Sequence, residues 1–261
     1  VPAIAPGRSP WRWAIVGAVL GLALALLLFI PASWLASRVA SATGGRVQLT
    51  DARGSFWNGT ANLQLTGGAG STDDLALPTP VDWHIRPRWN GFTVELATAC
   101  CTPQPLHIHV RPGLRGIAFD VADARSQWPA SLLAGLGTPW NTLQLDGDLV
   151  LSTQGLSVEW VEGRLALAGR AELQAQRMSS RVSTLRPMGS YRITVIGGAT
   201  PNLQLETLEG SLQLSGSGQW VDSRLHFNGV ATAAPDREEA LANLLNIIGR
   251  RSGARSIISI G

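Results

Sequence analysis

From Arg46 onward the sequence alternates apolar and polar residues, and this pattern constrains the fold more than anything else in the chain. Asn62-Leu63-Gln64-Leu65-Thr66, Val81-Asp82-Trp83-His84-Ile85, Phe92-Thr93-Val94-Glu95-Leu96 and Leu106-His107-Ile108-His109-Val110 repeat one design. Each run has the usual strand length of about five residues and is bounded by turn formers. Similar runs follow at Leu156–Val161, Arg164–Ala168, Ala171–Arg177, Tyr191–Ile196, Leu203–Glu206, Gly210–Leu214 and Arg224–Val230. Side chains two apart on a strand share a face, so every run presents one apolar face that must be covered. The expected fold is mainly β: a large antiparallel, curved meander with two short amphipathic helices. The first helix is expected over Ser126–Leu136. The second begins at Pro235 and Asp236, carries Leu241, Leu244, Leu245 and Ile248 on one face, and is capped by Gly249. Asp146-Gly147-Asp148 reads as a hairpin turn. Ser256–Ile260 reads as a last strand.

The chain begins differently. Trp13–Ile30 contains no charged residue. As a helix it would span roughly 27 Å, close to the hydrocarbon core of a bilayer. It is read as a transmembrane helix. Arg8 and Arg12 precede it, which places the N-terminus in the cytoplasm and the bulk of the chain outside. Trp11, Trp13 and Trp34 bracket it as interfacial aromatics do. A cleaved signal peptide is the competing reading, with Ala40-Ser41-Ala42 as cleavage site. That site lies far beyond the apolar run, and the run exceeds the usual ~7–15 residues, so a retained anchor is favoured. Gly17 and Gly21 have the spacing that lets two membrane helices approach, which suggests self-association; two small residues in an Ala/Gly-rich helix are the plainer explanation. Pro31 ends the helix. The expected division is a tail over residues 1–12, the span 13–30, a stalk 31–45 with a short helix at 32–43, and β subdomains at 46–136 and 137–261. A Leu-Gln-Leu sequence recurs at Leu63–Leu65, Leu143–Leu145, Leu203–Leu205 and Leu212–Leu214, as an internal duplication would produce.

The composition excludes several functions. All 21 Lys and Arg positions are arginine, yet the net charge is only +3 and the arginines are scattered. A nucleic-acid binder needs a basic stripe with aromatics, which is absent. Cys100 and Cys101 are adjacent, so no disulfide framework is possible; a vicinal disulfide and two free thiols remain open. His107 and His109 share a strand face and could begin a metal site. A solvated strand face is the commoner setting, and no ligand spacing supports a metal. Asp73–Asp74, Asp120, Asp123, Asp146, Asp148 and Glu238–Glu239 each have a loop, turn or helix-terminus explanation. No nucleophile elbow and no Cys–His pairing occurs. No residue is therefore assigned a catalytic, cofactor-binding or metal-ligating role, and an enzyme is not expected. A broad apolar sheet face suits binding or scaffolding.

The chain resembles the type II secretion system protein N family. The segment Gly54-Ser55-Phe56-Trp57-Asn58-Gly59-Thr60-Ala61 resembles the family's turn after its first strand, and Val81–Pro87 its second signature. Ser183–Tyr191, Leu203–Gly218 with Trp220, Phe227–Ala231 and the helix at Leu241–Arg251 continue the likeness in order. Gly54 and Gly59 are read as turn formers around Trp57, and Trp57, Trp83 and Trp220 as packing residues. The resemblance implies an accessory inner-membrane subunit of the type II secretion machinery, with its β-domain in the periplasm and other secretion subunits as partners. An outline similarity to AsmA-like envelope proteins implies the alternative, a lipid held in an apolar β-sheet groove.

Overall fold

A computed structural model describes residues 11–68, 70–161, 164–221 and 224–261. The tail expected at residues 1–12 lies largely outside the described residues, Arg8 included. Two helices open the chain: α1 (Trp11–Leu28) and α2 (Ala32–Ala42). The strands are β1 (Val47–Gly54), β2 (Asn58–Thr66), β3 (Asp74–Ala76), β4 (Val81–Arg88), β5 (Gly91–Thr98), β6 (Leu106–Pro112), β7 (Gly116–Val121) and β8 (Ala124–Pro129). A 3-10 segment, Ala130–Leu136, and α3 (Trp140–Leu143) come next. Then follow β9 (Leu145–Val161), β10 (Arg164–Ser180), β11 (Gly189–Gly198), β12 (Asn202–Gly210), β13 (Leu212–Val221), β14 (Arg224–Ala233), α4 (Glu238–Ile248), β15 (Arg250–Ser252) and β16 (Arg255–Ile260). These strands form one 16-stranded sheet in the order β1-β2-β4-β5-β6-β7-β9-β10-β11-β12-β13-β14-β16-β15, with β3 on β2 and β8 on β9. The ladders are antiparallel, and the sheet is open and curved, as the alternation predicts. It runs without a break across residue 137, because β9 pairs with β7 and β8 on one side and β10 on the other.

Register shows how the apolar faces join. Directly paired residues share a face. Trp83 pairs Leu96, Leu96 pairs Leu106, Val110 pairs Phe119, Phe119 pairs Val158 and Val158 pairs Leu167. One apolar inner face therefore crosses the sheet. Three clusters cover parts of it. In the first, Leu241, Leu244 and Leu245 of α4 pack on Tyr191, Leu212 and Ala231. In the second, Ala32 and Leu35 of α2 cover Trp83, Ile85 and Phe92. In the third, Leu132 and Cys101 close over Leu63, Leu65 and Leu77.

Five expectations need correction. The helix read at 13–30 stops at Leu28, with a turn at Phe29 ahead of Pro31. Its apolar part, residues 13–28, is about 24 Å long, short of the ~30 Å hydrocarbon core. Among the described residues no helix is long and apolar enough to cross a membrane. Ser126–Leu136 is not one helix. Ser126 and Trp128 lie on β8 opposite Leu151 and Leu149, and only the part after Pro129 coils. Asp146-Gly147-Asp148 is no turn but a continuous part of β9 that faces a bulge in β10, whose residues jump from Ser179 to Gln176 across it. Gly147 has φ 138°, and a Cβ there would lie 2.7 Å from the Gln176 carbonyl oxygen. Gly249 does not cap α4 in a left-handed conformation; its φ of −173° is extended and leads into β15. Gly59 is no turn residue. Its missing Cβ makes room for the Trp83 ring, whose Cζ2 would lie 2.4 Å from it. The Leu143–Leu145 copy of the recurring tripeptide sits where α3 joins β9, whereas the other three lie within strands.

Candidate functional site

The meander turns place the strand ends on two rims. One is a helical rim. It carries the Cys100–Cys101 turn, the 3-10 segment, α3, the 181–188 loop and α4, and the first and third clusters lie towards it. The opposite rim carries the β4–β5 and β6–β7 hairpin tips and the far ends of β9, β11 and β13. Chain entry is also on this second rim. Trp57 Nε1 donates to the Leu27 carbonyl at 2.9 Å, Phe56 N–H donates to the Ile30 carbonyl at 2.7 Å, and Pro31 bridges Ser55.

Between the clusters the inner face is bare. Val110, Phe119, Val158, Leu167, Val195 and Leu203 belong to no core cluster, and all stay half-buried although they face inward. No residue of β6 or β7 belongs to any of the three clusters. The result is an apolar trough, closed by α4 and the 3-10 segment towards one rim and open at the rim where α1 leaves. A kink helps to bend it: β9 bulges at Gly155 (φ 54°) opposite Gly169 (φ 80°) of β10. A Cβ on Gly169 would lie 2.1 Å from the Gly155 carbonyl oxygen, so only glycine fits there.

The outer face is polar and ion-paired. Arg192 bridges Glu206 at 2.7 Å and Glu172 at 3.2 Å. Arg111 holds Asp120 through two donors at 2.7 and 3.0 Å. Hydrogen bonds from Gln174 and Arg170 hold the Glu172 carboxyl below its ordinary value of 4.5. Those from Gln127 and Arg177 do the same for Asp148. For Asp120 desolvation pushes upward, but the hydrogen bonds from Arg111 and Ser157, with the charges of Arg111 and His109, prevail and lower it.

His107 and His109 do share this outer face. The structure adds a neighbour that spacing in sequence hides: His84 pairs with Glu95, and Glu95 pairs with His107. His107 Nε2 lies 3.9 Å from Glu95 Oε2, while His109 Nδ1 contacts the Thr93 hydroxyl at 3.5 Å. Among the described residues no group of three or more His, Cys, Asp or Glu is arranged to hold a metal ion. Asp73 accepts from Asn141 at 2.8 Å and Asp123 accepts from the Gly155 N–H at 2.6 Å, so both serve loops. Cys100 and Cys101 are joined in a vicinal disulfide. Cys101 is buried against Leu77 and Leu132, and its carbonyl accepts the Gln127 N–H at 2.8 Å. Trp83 is buried and donates to the Phe56 carbonyl at 3.0 Å, and Trp57 stacks near Phe56 and Phe92. Gly17 and Gly21 lie on α1 with open space where a Cβ would be.

The profile of the family described as Type II secretion system (T2SS), protein N, matches residues 45–258. The chain belongs to that family. The match covers the whole sheet from β1 to within β16 and leaves α1 and α2 outside it. No curated protein and no solved structure matches the chain. Membership of the type II secretion protein N family ties the chain to type II secretion, a process carried out with other secretion subunits. The trough, the hairpin tips and the His84–Glu95–His107 row are what sequence reading missed. Alternation announced the apolar faces, but only register shows which strands lie uncovered.

Proposed function

We propose that the protein is an accessory scaffold of the type II secretion machinery, anchored in the inner membrane by α1, with its sheet in the periplasm contacting other secretion subunits. The family match over residues 45–258 carries this reading. The build of α1 supports the anchor. Its described side chains are exposed throughout, and Phe29 beyond it is 79% exposed, so the helix buries no apolar face among the described residues. A helix somewhat shorter than the hydrocarbon core is accommodated by local thinning and by flanking residues reaching the interface. Cleavage after Ala42 would remove α2 and strip Ala32 and Leu35 from the second cluster, which favours retention. The N-terminus then faces the cytoplasm. The role is non-catalytic: the carboxylates and histidines described above are engaged in ion pairs, loops and strand faces.

The test is extraction of the full chain from native membranes in mild detergent, followed by identification of co-purifying proteins. Other secretion subunits should be recovered in constant ratio; recovery of none would sink the reading. A second reading, an apolar ligand such as a lipid acyl chain in the trough, is favoured by the uncovered inner face. Native mass spectrometry of the extracted protein should show bound lipid, and Phe119→Glu together with Val158→Glu should abolish it. A lipid-free protein would remove this reading and leave the first intact.

A further inference from the structure

We propose that the open rim nearest α1 is a membrane-seating surface, whose β4–β5 and β6–β7 tips enter the headgroup boundary of the bilayer that anchors α1. The proposal rests on the anchor reading above.

Trp89 sits at the tip of the two-residue turn between Arg88 and Gly91 and is 97% exposed. Leu114 sits at the tip of the neighbouring hairpin, where Gly113 N–H donates to the Gly116 carbonyl, and is fully exposed. Turns of this kind favour Gly, Asn and Asp, and neither turn geometry nor packing calls for a Trp or a Leu. Nearby, Trp160 and Val161 at the end of β9 are 48% and 42% exposed. Charge agrees with the apolar pattern. Residues 86–92 and 112–117 carry Arg86, Arg88 and Arg115 and no carboxylate, while Arg111 just behind the second tip is held by Asp120. Protruding single apolar side chains flanked by arginines suit a lipid interface: Trp prefers the headgroup level, and long arginine stems let the guanidinium reach phosphates.

Continuity with α1 selects a bilayer over a protein partner. The rim is pinned to the C-terminal end of α1 through Trp57–Leu27 and Phe56–Ile30. The described side chains of α1 are exposed along its whole length. Any bilayer that holds α1 therefore begins beside these tips, and the trough opens at the same place.

The experiment places the full chain in phosphatidylethanolamine/phosphatidylglycerol vesicles, with and without bromine on the acyl chains. The emission lost in Trp89→Ala, and the emission gained in Leu114→Trp, should be quenched at least twofold by the brominated lipid. The emission lost in Trp140→Ala, an exposed tryptophan on the helical rim, should not be. Vesicle-bound protein whose Trp89 and position-114 emission is quenched no more than that of Trp140 would overturn the proposal. Protein that fails to float with vesicles would remove the anchor and this surface together.

Discussion

Gly59 and Trp83 show how single residues set this fold. Trp83 lies across Gly59 on the paired strand, buried at 2% exposure. Gly59→Ala should cost about 1–3 kcal/mol through overpacking, because the ring is enclosed by Ile85 and α2 and cannot retreat. A denaturant melt showing an unchanged midpoint would contradict this. Phe227 lies in the same way over Gly216 and Gly229. Tyr191 raises the opposite case. Its buried hydroxyl has no hydrogen-bond partner among the described residues, and burial pushes its pKa well above the ordinary 10.0. Tyr191→Phe removes a polar group without breaking a bond, so stability should be unchanged or rise by about 1 kcal/mol. Acid sensitivity is also a residue matter. Asp120, Asp148 and Glu172 all have depressed folded pKa values. Their stabilisation is complete above their unfolded values near 3.8 and 4.5 and is lost as pH falls through the folded ones. The melting temperature should drop below about pH 4.5, and Glu172→Gln should soften that drop.

At the scale of elements, α4 closes the largest cluster. Leu244 is 1% exposed, whereas Ile247 on the same helix is 39% exposed. Leu244→Ala should therefore cost about 2–5 kcal/mol and Ile247→Ala far less, which paired thermal melts would show. Equal losses would mean that α4 does not pack as described. Much of this level was legible from the sequence. Strand runs such as Val81–Ile85 and Phe92–Leu96 fall inside β4 and β5, and the apolar face of the last helix is the one that packs. What failed did so for physical reasons. β9 and β10 are each 17 residues long and bulged, and a bulge inverts the alternation. The pattern therefore reads as two short strands wherever Gly147, Gly155 or Gly169 intervenes. Ser126–Leu136 has leucines at helical spacing, but its first half pairs with β9. Tertiary pairing overrode local periodicity there.

For the molecule as a whole, the sheet is longer than its covering helices, and that mismatch defines the candidate site. The sequence exposed the ingredients: a long alternating region, few helices, an apolar run ahead of it. It could not show that the bare stretch of sheet and the exit of α1 share a rim, because that depends on long-range register. The role proposed above is that of a membrane-held subunit of the type II secretion machinery. Crosslinking in intact membranes, followed by mass spectrometry of peptides joined to the β-domain, tests it most directly. Links from the sheet to other secretion subunits, found reproducibly in native membranes, are the predicted result. A β-domain crosslinked only to itself or to unrelated proteins, at full crosslinking efficiency, would contradict it.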